Sequence, residues 1–543
     1  METEFNLLDE KWIRVRRQDC TVDVLSLIDV LLHAHEYAGL AGELPTQDVA
    51  ILRLLLAVLQ AVFYYYAPDG EEEILDDPDD VLDRWEELWN AGRFPEEPIR
   101  NYLDKWHDRF WLFHPERPFY QTDAAKVGTQ YGASKLNGAI SESSNKVRLF
   151  ADCSGSFKDE LTYAEAARWL VYVNNYDDTS AKPKGKDLPS PGAGWLGKLG
   201  LITVSGNTLF ETLMYNCILL DPQSNFDIWN RETPTWELPQ PHTKERSEIN
   251  LPRSLSELYT LQSRRLYLLR EEDKVIGYSL LGGDFFNKVD AFIEPMTIWS
   301  AVKGNKNAVT QFQPRRHDSS VQMWREFSSI CVQGNNSKEK HIPGIVAWIG
   351  HLKRIGAIDA DAFVRFSIAS IQYGDKDLYV NDLFSDSLTF HTDLLTELGT
   401  DWQTRITEEV AKCDELAKEM KTLAKKLVIA AGSSEDDAKE CTFVQKSAEQ
   451  LYYEIDMPFR KWLASIDPKL SISSDAGQNV IMQWHEKAKS IAVQMGRNFV
   501  ESAGTTAIVG RMGEDGKYYC AAEAYRNFQY WLNRIYPKEE NHG

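Results

Sequence analysis

The densest concentration of reactive side chains is the stretch WLFHPERPFYQT, Trp111 to Thr122, which sets His114, Glu116 and Arg117 almost side by side. An imidazole and a carboxylate can share general acid–base work when both converge on one reacting atom in a cleft. Sequence neighbours on a turn seldom do so. Pro115 and Pro118 favour an extended, turning backbone, and Trp111, Phe113, Phe119 and Tyr120 supply burial. The expectation is an aromatic-anchored turn whose polar residues satisfy nearby backbone groups; a cytosolic enzyme using His114 and Glu116 in an aromatic pocket is the rival reading. Metal chemistry has less support. The 11 histidines form no HExxH motif, His33 and His35 are the one close pair, and the acidic runs lack the order of a calcium loop. No metal and no cofactor is expected.

A second candidate is the basic, glycine-rich passage DDTSAKPKGKDLPSPGAGWLGKLG. It carries Lys182, Lys184 and Lys186 beside Gly185, and Gly192, Gly194 and Gly197 match GxGxxG. A dinucleotide fingerprint opens a helix, whereas the following KLGLITV reads as a strand, so a nucleotide fold is not supported. Two readings stay open: a plain glycine turn, or a turn whose missing Cβ atoms let backbone approach a groove or phosphate, with the lysines adding favourable charge. Further basic clusters are Arg264 with Arg265, Lys303 with Lys306, QPRRHD at Gln313 to Asp318, and NNSKEKH at Asn335 to His341. Each is ordinarily a solvated surface. Together they put positive charge in the middle third of the chain, which permits one nucleic-acid-facing side.

These residues must be held by a large framework. A chain of 543 residues exceeds the size of one hydrophobic core, so two or three domains are expected. Its formal net charge of -22 repels nucleic acid and anionic membranes as a whole, yet local basic loops remain possible because exposed charges are screened beyond roughly 8 to 10 Å. Seven scattered cysteines without a CxxC pair imply a reducing compartment. The N-terminus METEFNLLDEKW does not resemble a signal peptide, and no window reads as a membrane span, so a cytoplasmic protein is expected.

Along the chain, NLLDEKWIRV and CTVDVLSLIDVL read as a strand pair entering a helix. LPTQDVAILRLLLAVLQAVFYYY reads as a core helix that Thr46 and Asp48 can cap. The acidic run after it has helical apolar spacing at Leu82, Trp85 and Leu88, which makes its charges a solvated face. Residues 200 to 390 mix short β-rich runs with helices, without βαβ alternation. Beyond Arg405 the apolar spacing turns to threes and fours, at Ile406, Val410, Cys413, Leu416, Met420, Leu423 and Leu427, and it recurs in three later segments. The predicted fold class is α+β: a mixed N-terminal domain, 1–400, with small antiparallel sheets, followed by a C-terminal four-helix bundle, 401–543.

The motifs FNLLDEKWIRVR, LPTQDVAILRLLLAVL and HPERPFYQT, the long loop before LTYAEAARWLV, and GWLGKLGLITVSGNTLFETLMYN occur in an order that resembles the CasA family. That family is the large subunit of the type I-E CRISPR surveillance complex Cascade, and the resemblance covers nearly the whole chain. It implies a non-catalytic subunit that recognises the PAM beside a DNA target, chiefly from the minor groove. Such a subunit promotes duplex opening and R-loop formation, and recruits the helicase-nuclease in antiviral defence. Its partners would be guide CRISPR RNA, PAM-containing double-stranded DNA, and the backbone, handle-binding and small subunits, with no membrane. By position, the resemblance puts the guide RNA handle loop at Leu149, Phe150, Ala151, Asp152, Ser154 and Gly155. The glycine loop that approaches the PAM falls in Lys182, Lys184, Gly185, Lys186, Gly192 and Gly194, with Lys184, Gly185 and Lys186 foremost, and a groove-reaching lysine at Lys274 or Lys288. The duplex wedge falls at Gly374, Asp375, Lys376 and Asp377. Two carboxylates facing phosphates are unfavourable there, so either Lys376 leads or the wedge is displaced. A pure protein scaffold working through the bundle is the third reading.

Overall fold

The computed structural model describes residues 3–142, 154, 156–178, 182–229, 231–302, 310–331 and 341–537. The chain divides into two compact units. One comprises Met1–Val321, Gln333–Ile358 and Val364–Ser387; the other comprises Gln322–Val332, Asp359–Phe363 and Leu388–Gly543. The long stretch of the second unit therefore starts at Leu388, and two earlier segments join it, whereas the sequence predicts one boundary near residue 400.

In the first unit the helix Pro45–Tyr65 is buried without interruption from Val49 to Phe63. A helix apolar on every side belongs in a core. By length and composition it could also cross a membrane, contrary to the expectation that no window would. Its Arg53 shows how the interior accommodates it: the guanidinium is 1% exposed and bonded twice to Glu294, at 2.8 and 2.9 Å. The expected side-chain cap is absent. Leu44 is the N-cap and Pro45 opens the first turn, while Asp48 reaches back to accept the backbone N–H of Gly42 at 2.7 Å.

Short antiparallel sheets surround this helix in sequence. Ile13–Arg17 lies between Val22–Leu25 and Tyr37–Leu40, and the helix Leu27–Leu32 follows directly. Arg264–Glu271 and Lys274–Gly282 form a hairpin whose second strand also pairs with Thr129–Gly132. Phe363–Tyr373 lies between Val380–His391 and Thr203–Ser205, with Arg365 opposite Ser205. The helix Tyr163–Tyr176 starts at a reciprocal capping box of Thr162 and Glu165 and delivers Asp177 and Asp178 at its end.

The second unit carries four long helices, Thr400–Ala431, Thr442–Ser465, Asp475–Ser502 and Ala521–Ile535. The three-and-four spacing does what it implies: Ile406, Cys413, Leu416, Met420, Leu423 and Leu427 are all buried, as are Leu451, Phe459, Trp484 and Phe528. Val410 is only half-buried. The connections are more structured than linkers, with short helices Glu435–Glu440 and Gly504–Val509 and a hairpin of Arg511–Met512 with Tyr518–Tyr519. The fold is thus α+β with small antiparallel sheets and long C-terminal helices.

Candidate nucleic-acid interface

The stretch that looked most like chemistry is a turn. His114 Nδ1 accepts the backbone N–H of both Glu116 and Arg117 at 3.0 Å, and Nε2 faces Asp108 at 3.7 Å. Phe119 and Tyr120 are buried and stacked at 4.2 Å, with Tyr120 at φ 54°. Gln121 donates to the Leu112 carbonyl and accepts from Leu268 N–H, which ties the turn to the strand Arg264–Glu271. Its polar groups are used to satisfy backbone.

That strand begins a buried ionic network. Arg264 and Arg265, read from sequence as solvated, are 1% and 0% exposed. Arg264 Nε donates to Asp177 at 2.6 Å, and its Nη2 donates to the carbonyls of Asp178 and Gly192 at 2.9 and 2.6 Å. Lys135 pairs with Asp178 at 2.7 Å. Arg265 makes two bonds to Asp284, which His242 also meets at 3.0 Å. Buried charges persist when paired and hydrogen-bonded in this way.

The glycines of the basic passage differ in what they do. Gly192 has φ 63° and open space where a Cβ would stand, so the left-handed turn itself requires it. Gly194 is a packing glycine: a Cβ would lie 2.3 Å from the Asn175 carbonyl oxygen, and its N–H donates to the Asp177 carbonyl. At Gly185 a Cβ would meet Leu188 at 2.7 Å. The N–H groups of Lys184 and Gly185 both donate to the Glu245 carboxylate, at 2.7 and 3.1 Å, so an internal anion occupies the amides that a phosphate would seek. The side chains of Lys182, Lys184 and Lys186 remain exposed.

The turn at Gly374–Asp377 is bound to this same region. Arg316 makes a two-pronged ion pair with Asp377, at 2.7 and 2.8 Å, and donates from Nε to the Gly197 carbonyl at 2.6 Å. The guanidinium also lies over the Tyr373 ring at 4.9 Å, and Tyr373 donates its hydroxyl proton to the Tyr176 carbonyl. Asp377 is therefore an anchor, neutralised by Arg316. Asp375, Lys376, Leu378 and Tyr379 are the exposed residues of the turn, and Lys376 and Asp377 have φ of 52° and 57°. The carboxylate objection raised by the sequence falls to Asp375 alone.

Charge is unbalanced here. Asp177, Asp178, Asp284 and Asp377 each hold a specific cation, whereas Lys198, Arg246 and Lys288 form no ion pair among the described residues. Burial first, and then Arg264, Arg246, Lys288 and Arg316, push the Lys198 ammonium down to about 7. A glycine turn, an exposed hairpin tip clipped to it by one arginine, and a local surplus of cations suit a polyanion's backbone better than a small-molecule reaction.

The CRISPR-associated protein Cse1 family model matches residues 6–495. The chain belongs to the Cse1 family. A Thermus thermophilus CRISPR-associated protein CasA/Cse1 is 27% identical over 495 residues, covering 86% of this chain and 89% of that protein. The crystal structure of Thermobifida fusca Cse1 superposes with a TM-score of 0.83 at 27% identity and 98% coverage of both chains. A chain from a solved CRISPR RNA-guided surveillance complex shares the fold at a TM-score of 0.68 and 15% identity, over 98% of this chain and all of that one.

Within this Cse1-family chain the two groove-reaching lysine candidates separate. Lys288 is exposed and acts electrostatically on Lys198. Lys274 opens the strand whose other end, Gly282, adjoins Pro191; it faces Asp273 at 3.9 Å and stands about 26 Å along the strand from that end. Of the handle loop, Ser154 is described and exposed, while Leu149, Phe150, Ala151, Asp152 and Gly155 lie outside the described residues, as do Lys303 and Lys306. Lys198, Arg246 and Arg316 were missed as site residues. Lys198 sat in view within GWLGKLG, but nothing local distinguishes it from a surface lysine.

Proposed function

We propose that this Cse1-family chain is the large, non-catalytic subunit of a type I-E RNA-guided surveillance complex, and that it recognises the PAM in double-stranded DNA and opens the duplex for guide pairing. The observation that carries this reading is Arg316, which binds the Gly197 carbonyl of the glycine-bearing passage and Asp377 of the hairpin turn at once. That bond supports the reading, because it would hold a duplex element at the passage a fixed distance from the tip that splits it. Exposed Leu378 and Tyr379 give that tip apolar surface for unstacked bases, as wedge side chains do in other DNA-bending proteins. Opening is driven by binding free energy, since the guide–target heteroduplex replaces the DNA duplex at near balance.

Guide RNA contact through residues 149–155, docking of the other complex subunits, and recruitment of the helicase-nuclease are parts of the same proposal and rest on the family alone. A cytoplasmic location fits the six described cysteines, all free thiols. The test is binding of the reconstituted complex, with and without this chain, to guide-matched duplexes that differ only at the PAM. Affinity that depends on the chain and on the PAM is the expected result. Equal affinity for every PAM, or binding indifferent to the chain, refutes the reading.

A further inference from the structure

We propose that Lys198 and Arg246, with Lys288 at the rim, form a seat for one backbone phosphate of the duplex held at the Gly192 turn. The proposal rests on the reading of this chain as a duplex-binding subunit and adds to it a contact made from behind the glycine turn. Lys198 ends the short helical turn Leu196–Lys198 and is half-buried; its backbone N–H donates to the Trp195 carbonyl, while its ammonium has no hydrogen-bond or ion-pair partner among the described residues. A part-buried ammonium among cations is costly, and the cost falls when an anion arrives.

Arg246 brings a second unfilled cation. Its guanidinium lies 3.7 Å over the Phe285 ring, Nη1 donates to the Gly283 carbonyl at 3.3 Å, and Nε is buried with no partner. A Cβ added at Gly282 would lie 3.0 Å from Arg246 Cδ and 3.1 Å from Pro191 Cγ, so the arginine stem flanks the residue that leads into Gly192. The internal acceptors that might have neutralised these groups are committed. Asp177 is held by Arg264, Asp284 by Arg265 and His242, Asp377 by Arg316, and Glu245 by two loop amides. An ammonium and a guanidinium, neither with an internal counter-charge among the described residues, suit a tetrahedral anion, which is phosphate chemistry.

The experiment measures affinity of the reconstituted complex for a PAM-bearing duplex between 50 and 200 mM salt, using Lys198→Met, Arg246→Gln and Lys198→Arg chains. One lost phosphate contact lowers the log–log salt slope by about 0.9, so Lys198→Met and Arg246→Gln should each lose about 3.5-fold of the wild-type salt response over that range. Lys198→Arg should keep the slope, and the Lys198→Met chain should unfold no more readily than wild type, because it sheds a poorly solvated charge. Methylphosphonate replacement of backbone phosphates one at a time beside the PAM should reveal one position that weakens wild type and leaves Lys198→Met unaffected. Unchanged slopes in both charge-removing variants, or methylphosphonates that act equally on wild type and variant, overturn the seat. Loss of PAM dependence in the wild-type complex would instead overturn the functional reading beneath it.

Discussion

Replacing Glu294 tests whether the glycine-bearing passage is held from within. The carboxylate is fully buried and accepts from Arg53 Nη1 and Nη2, from Trp195 Nε1 at 2.7 Å and from the Met296 N–H at 3.1 Å. Trp195 follows Gly194 directly, so this one acceptor joins the core helix to the loop root. Glu294→Leu strands the Arg53 guanidinium, which stands over the Tyr259 ring at 4.2 Å and has no other ion pair among the described residues. Removing one partner of a buried pair costs about 3–5 kcal/mol, and the two orphaned N–H donors raise the loss further. Arg53→Met alone should cost a similar amount. The double variant removes the uncompensated charge and should cost markedly less than the sum, leaving chiefly about 1–3 kcal/mol for each unsatisfied donor. Hydrogen exchange of the amides of Pro45–Tyr65 is the appropriate assay, because two compact units make a single unfolding free energy ill-defined. A Glu294→Leu effect under about 1 kcal/mol, or single effects that simply add in the double variant, would refute the reasoning.

Two further outcomes are expected. Arg316→Met and Asp377→Asn should each slow opening of a PAM-bearing duplex while sparing a pre-opened target, and a double-mutant cycle should show a coupling of about 1 kcal/mol for this two-pronged pair, whose side chains are 32% and 28% exposed. Stopped-flow fluorescence of a base analogue beside the PAM reads the opening. Burial pushes the Asp48 carboxyl up to about 7. The native state therefore binds that proton more tightly than the unfolded chain, and the wild type loses stability as pH rises from about 4 through 7. Asp48→Asn does not titrate, so its stability relative to wild type should be higher at pH 8 than at pH 5 by hydrogen exchange of the helix Pro45–Tyr65; an equal difference at both would place the Asp48 proton elsewhere.

Legibility in the sequence followed the range of the interaction. The bundle was readable because three-and-four spacing is local, and burial of Ile406 through Leu427 follows from it directly. The HPERPFYQT turn was readable because His114 bonds to amides two and three residues away. Arg264 and Arg265 were misread as solvated because Asp177 and Asp284 lie 87 and 19 residues from them. Arg316 and Asp377 are separated by 61 residues, so nothing in the sequence signalled that a carboxylate counted against the expected wedge is paired with an arginine. Spacing of the glycines likewise gave no hint that Gly194 serves packing and Gly192 the turn.

An acidic protein can read DNA if its carboxylates are placed where they cannot repel it. The net charge is -22, yet around the glycine turn Asp177, Asp178, Asp284 and Asp377 are committed to cations, and Lys198, Arg246 and Lys288 are left in surplus. Screening confines the influence of distant exposed acids to about 8–10 Å, so under the proposed function the local surplus would act on a duplex at the turn while the acidic remainder disfavours contact elsewhere. Nonspecific affinity comes almost wholly from phosphate neutralisation. A net acidic body lowers that competing background, and the ratio of specific to nonspecific affinity is what selects a target among many sites.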